Sequence, residues 1–162
     1  MERLADIRRV VDAILLARQN QDDMRFGFIH LYGVSTLCAM IAHRRGMDVE
    51  ICAVAGMLHD ISSFETGDPT EHAGRSAARA EVILQRIRSF SAAEVGTITA
   101  AIVAHSAKDK TDGPVAEVLK DADVLQYHYG TPFLRDSPAR ARRCRDLLRE
   151  LGQPVGPTGT PP

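Results

Sequence analysis

The stretch AVAGMLHDISSF, residues 53–64, decides how the rest of the chain is read. It is apolar without alternation until it meets an adjacent ionisable pair, His59 and Asp60. Gly46 closes the helix before it and Asp48 caps the next, so the run reads as a buried helix reaching about His59. A buried helix that finishes in a histidine and a carboxylate puts a charge at the edge of a core, which is costly unless a partner is there. Groups able to meet that pair have to come from elsewhere in the chain.

Outward from this stretch the apolar spacing stays helical. Leu4, Ile7, Val11, Ile14 and Leu15 form one stripe, and Val34, Leu37, Cys38 and Ile41 another. Boundary signals fall between the stripes. Pro69 in GDPTEH stands near a helix start, SAAE at residues 91–94 reads as a capping box, and Pro114 and Pro138 suit first-turn positions. No stretch alternates like a strand. The expectation is an all-α, single-domain bundle of roughly seven helices over residues 1–152, with two longer connections at about residues 62–71 and 106–113. The Gly- and Pro-rich end, residues 153–162, has no apolar period and reads as a disordered tail.

Composition narrows the partners. With 162 residues and 44% hydrophobic content, one domain with a real core is expected. Twenty Lys+Arg against 21 Asp+Glu create no global field for nucleic acid or an anionic membrane, so any phosphate recognition must be local. Cys38, Cys52 and Cys144 are odd in number and suit reduced thiols. The charged amphipathic start is unlike a signal peptide, and no window reads as the roughly 18 apolar residues of a span. A soluble cytoplasmic protein is expected, binding no nucleic acid and no membrane. The amphipathic first helix and Arg-rich last one could equally pack on a second copy, as a homodimer.

Four histidines lie on or beside apolar stripes near helix ends: His30, His59, His72 and His105. His30 begins the Val34–Leu37–Ile41 stripe, His105 continues that of Ile98, Ala101 and Ile102, and His72 edges that of Ser76, Ala80 and Ile83. Asp123 shares a face with Ala116 and Leu119. Any one of these histidines alone is more often a satisfied core or surface residue, and Asp123 alone more often exposed. Together, imidazole nitrogens and carboxylates aimed into one bundle suit a divalent transition metal, with Mn, Fe, Co, Ni and Zn all compatible.

The ordered set of His30, His59–Asp60 and Asp123 in LKDADVLQ resembles the HD superfamily of metal-dependent phosphohydrolases over about residues 26–130. The segments EHAGRSAARAEVIL and AAIVAHSAKDKTDGP look like insert motifs of its two-metal branches, in an arrangement similar to the bacterial diadenosine tetraphosphate hydrolases. The glycine-tyrosine-proline motif of the HD-GYP branch is missing, which argues against cyclic-dinucleotide hydrolysis. The resemblance implies that His30, His59, Asp60 and Asp123 hold one ion, and that His72 and His105 hold a second bridged by Asp60. It implies a hydrolase that attacks a small phosphate ester or anhydride, a nucleotide or dinucleoside polyphosphate, with metal-activated water. Catalytic roles then fall to Asp60 and Asp123, and to His72 and His105 as ligands or, with one ion, as proton-transfer groups. Arg75, Arg79 and Lys108 are the candidate substrate-binding cations, Arg79 foremost, with Lys110 beside them. Aromatics are scarce at 5%, which leaves Phe64 and Tyr127 as the nearest candidates to stack on a base. A metal-containing nucleotide-binding regulatory module with little turnover would carry the same ligands.

Overall fold

The computed structural model describes residues 2–130 and 137–153. Within them the chain forms α1 (Glu2–Leu16), α2 (Gln21–Arg44), α3 (Val49–Leu58), α4 (Ile61–Thr66), α5 (His72–Ile87), α6 (Ala92–Ala104), α7 (Pro114–Gly130) and α8 (Pro138–Glu150), with no strand among the described residues. The expected bundle is present. Of the proposed tail, only Gln153 is among the described residues.

Several ends fall where the punctuation puts them. Asp48 accepts from the Ile51 amide, Ser91 and Glu94 complete a reciprocal capping box, and Pro114 and Pro138 open α7 and α8. Each side-chain cap contributes on the order of 1 kcal/mol by satisfying an amide with no partner inside its helix. The difference lies in α4, a short helix inside a stretch that reads as a loop. The chain leaves helical geometry at Asp60 (φ −117°, ψ 16°), buries Ile61, and resumes for six residues until Gly67 takes a left-handed φ of 78°. A six-residue helix is too short to show a periodicity of its own.

α3 is buried almost throughout and forms the axis of the domain, with α2, α1, α6 and α7 packed around it. α1 turns Leu4, Ile7, Val11 and Leu15 inward, and α8 adds Cys144, Leu147 and Leu148. α2 and α3 approach closely at Gly56. A Cβ there would lie 2.9 Å from both Cys38 Sγ and the Ser35 Cα, so only a glycine fits.

By length and composition α2 is apolar enough to cross a membrane, a feature the sequence reading does not anticipate. Its apolarity has a different use. The helix packs on α3 and α7 through Leu31, Val34, Cys38 and Ile41, and it buries the polar His30 and Ser35 beside them. All three cysteines are buried.

Candidate metal centre

The ends of α3 and α6, the starts of α4 and α5 and the interiors of α2 and α7 meet around the Asp60 carboxylate. His59 continues α3 in helical conformation, and the break at Asp60 turns that side chain away from the helix path. Asp60 sits in the sparsely allowed region between helix and extended backbone, where residues of active sites often lie. Just before α5, Glu71 adopts a left-handed φ of 50°, uncommon outside glycine, and the helix starts at His72 immediately afterwards.

The four histidines are oriented alike. His30 Nδ1 donates to Gln126 Oε1 (2.8 Å), His59 Nδ1 to the Gly56 carbonyl (2.8 Å) and His105 Nδ1 to the Ile102 carbonyl (2.6 Å). His72 Nδ1 is 3.2 Å from the Pro69 carbonyl. Each ring therefore carries its hydrogen on Nδ1 and turns the Nε2 lone pair inward, the arrangement outer-shell acceptors impose on metal-bound histidines. Gly33 makes room for the Gln126 anchor, since a Cβ at 33 would lie 2.9 Å from Gln126 Cγ.

The Nε2 atoms divide between the two oxygens of Asp60. His30 and His59 face Oδ2 at 3.5 and 3.3 Å, whereas His72 and His105 face Oδ1 at 3.8 and 3.4 Å. Asp123 Oδ1 closes the first group, 3.8 Å from His30 and 3.9 Å from His59. Ligands with bonds of about 2.1 Å to one ion are separated by roughly 3.0–3.4 Å at neighbouring positions and at most about 4.2 Å across it. The donor atoms of both groups lie near that range.

Two further observations fit a cation. Asp60 Oδ1 is buried and has no hydrogen-bond partner among the described residues. The Nε2 atoms of His30 and His59 are 3.1 Å apart, although both rings already donate through Nδ1. Two lone pairs at that distance repel unless a proton or a metal lies between them. Burial alone would raise the Asp60 pKa, but the His59, His105 and His30 rings gathered around it hold it far below the carboxylate range. Burial likewise works against an ionised Asp123, and Lys108 and His59 outweigh it. Burial depresses His59, while the Asp60 charge more than reverses this and raises its pKa; for His105 burial wins and the pKa falls. The donor set thus presents ionised carboxylates and inward lone pairs, the state a divalent transition metal requires.

The HD domain family model matches residues 27–128, well over half the chain. The chain belongs to the HD domain family. Members of this family are generally metal-dependent phosphohydrolases, and the His/Asp groups of this HD domain are of the kind that would hold such a metal. No curated protein and no solved structure matches the chain.

The cations of this HD domain are arranged less simply than its ligands. Lys108 is buried in the cavity wall, donating to the Asp123 carboxylate and, at 2.7 Å, to the His105 carbonyl. Burial lowers its pKa, against the opposing pull of Asp123. Arg75 instead pairs with Asp68 at 2.6 Å, and Arg79 forms a two-pronged bond with Glu65 at 2.7 Å, so neither reaches the ligands. Lys110 is exposed. The sequence reading misses Arg140, which comes from α8, stacks over Tyr127 at 4.4 Å and reaches Asp123 Oδ2 at 3.3 Å. It also misses Ser106, 2.9 Å from His72 Nε2, and Phe26, stacked on the His30 ring. Gln126 shares the Asp123 helix face in sequence, yet its anchoring of His30 depends on the packing of α7 against α2. The 105–113 connection is fixed from behind: Lys120 donates to the Lys110 carbonyl and Asp112, and Arg143 to the Lys108 and Lys110 carbonyls. A cavity of about 320 Å³ opens over the centre, with His30, Asp60, His72, His105, Lys108 and Arg140 in its wall.

Proposed function

We propose that the protein hydrolyses a small phosphate ester or anhydride, a nucleotide or dinucleoside polyphosphate, at a centre of two divalent ions bridged by Asp60. The observation that carries this reading is the division of Asp60, with one oxygen facing His30 and His59 and the other facing His72 and His105. When bound, such ions polarise a phosphoryl oxygen and lower the pKa of water to the neutral range. The protein groups do the rest. His30, His59 and Asp123 fix the inner position, His72 and His105 the outer one, and Gln126 with the Gly56 and Ile102 carbonyls keeps the rings from turning.

Lys108 and Arg140 both reach Asp123 Oδ2 in the cavity wall, so phosphoryl oxygens entering the cavity meet an ammonium and a guanidinium. Phosphoryl transfer depends mainly on such positioning and charge compensation. Arg140 suits a phosphate through its planar donors, Lys108 as a point charge.

The test is metal content per chain by elemental analysis of untagged protein, alongside phosphate release. Two ions falling to one in the His72→Ala, His105→Ala double variant, with turnover lost, is the expected result. One ion in both proteins would refute the bridged pair and make His72 and His105 proton-transfer or substrate groups. Full metal loading with nucleotide affinity but no phosphate released would identify a binding module instead.

A further inference from the structure

The cavity over the centre is not alone. A second one, of about 390 Å³, adjoins it along Phe26, Asp60 and His72, and its wall continues through Arg18, Ser63, Phe64 and Pro69. Each volume lies at the lower end of the roughly 300–1,000 Å³ typical of small-molecule sites, so either lobe has room for one part of a ligand. Their chemistry differs. The first lobe carries Lys108, Asp123 and Arg140 beside Tyr127; the second carries Phe64 and Pro69, with Arg18 and Asp23 in its wall, and Phe26 is shared.

Phe26 stands at the junction. One face of its ring stacks nearly parallel on His30, with 5.5 Å between centroids and 12° between planes. The residue is nonetheless 43% exposed, unusual for a phenylalanine beside a buried polar centre. Phe64 tilts toward it at 5.9 Å and 47°, forming a corner. Arg18 lines the same wall with its guanidinium bonded to Asp23 and the Glu65 carbonyl. Aromatic faces meeting at a corner suit a flat ring laid against them.

We propose that the second lobe is the seat of the substrate's organic half, a planar ring system lying against Phe26 and Phe64, while the phosphoryl group faces Asp60, Lys108 and Arg140. This rests on the hydrolase reading and narrows it: the enzyme prefers phosphate esters of ring-bearing alcohols, such as nucleoside monophosphates, over esters of small flexible alcohols. The reaction is an ordinary hydrolysis in which water adds to phosphorus, the P–O bond to the alcohol breaks, and the alcohol leaves with a proton.

The experiment compares adenosine 5′-monophosphate with glycerol 3-phosphate on metal-loaded full-length protein. Dissociation constants come from calorimetry and kcat/KM from phosphate release. Wild type should favour the adenosine ester at least tenfold in binding. Stacking on an aromatic face accounts for roughly a five- to hundredfold change in affinity, so Phe26→Ala should shrink that ratio about tenfold and Phe26→Tyr should restore it. Ser63→Leu fills the lobe without touching His30 and should shrink the ratio as well. A wild-type ratio near one would overturn the proposal, as would variants that weaken both esters equally. Turnover of neither ester would count against the hydrolase reading only, since the binding ratio still decides where the ring sits.

Discussion

The two halves of the centre share Asp60 and differ in nearly everything around it. On the inner side, His30 and His59 are buried, each held through Nδ1 at 2.8 Å, and Asp123 closes the set from α7. On the outer side, His105 is buried but His72 is 34% exposed in its side chain, held by a longer 3.2 Å contact at the start of α5 and next to a strained Glu71. His30 and Asp123 stand within α2 and α7 and His59 at the buried end of α3, whereas His72 follows a surface turn. A preorganised, desolvated set binds more tightly than one that must be ordered on binding. On the proposed two-ion reading, the inner position should then behave as part of the fold and the outer as a loadable site.

Asp60→Ala strikes both halves and should have the largest effect. It should lower kcat/KM for phosphate release by more than the 10–100-fold typical of outer-shell substitutions, with metal content falling below one ion per chain. Activity within tenfold of wild type would end the idea of a shared carboxylate. Next in size is the asymmetry itself. Under graded chelation, elemental analysis should show the outer ion leaving first, and His72→Ala should retain one ion where His30→Ala retains less. Equal loss from both positions would erase the distinction.

Gln126→Leu should weaken the inner ion about 10–100-fold by freeing the His30 ring, measured by competition with a metal-binding dye. The effect of pH follows from His59. Its raised pKa in metal-free protein contributes stability that is fully present below about 6.5 and is lost as pH rises through the folded value. Metal needs the unprotonated ring, so the rise in Tm on adding metal should be larger at pH 8 than at pH 6. The reverse order would mean that His59 is not a ligand. Smallest of all, Arg79→Met should change turnover less than about twofold and stability by under about 1 kcal/mol, because its bond to Glu65 is partly exposed.

Which side chains serve the centre was legible in proportion to their length. His30, His59, His72, His105 and Asp123 are short and follow the backbone, so helical spacing together with the HD resemblance brought them together, although His30 lies inside α2 and not near its end as expected. Arg75, Arg79, Lys108 and Arg140 are long, and each goes to whichever acid the other helices supply. Arg75 finds Asp68 and Arg79 finds Glu65, while Lys108, from the same kind of post-histidine stretch as exposed Lys110, turns inward to Asp123. Helix ends were legible because caps are local chemistry. α4 was not, because six residues held by one buried isoleucine and a terminal glycine look like a loop. The length and apolarity of α2 carry two meanings, and only its packing against α3 and α7 separates a core helix from a span.

The glycine at 56 links the helix crossing to the chemistry. Its missing side chain lets α3 press against Ser35 and Cys38 of α2, and its carbonyl holds the His59 ring. Since His30 rides on α2 and His59 ends α3, the gap between two candidate ligands is set by the thickness of a helix contact several residues away. A single added methyl group would act as a spacer there, changing the fit of the inner ion by altering no ligand at all. Tuning of the metal in this fold is thus open to residues that never touch it, and the size of position 56 is the first dial to turn.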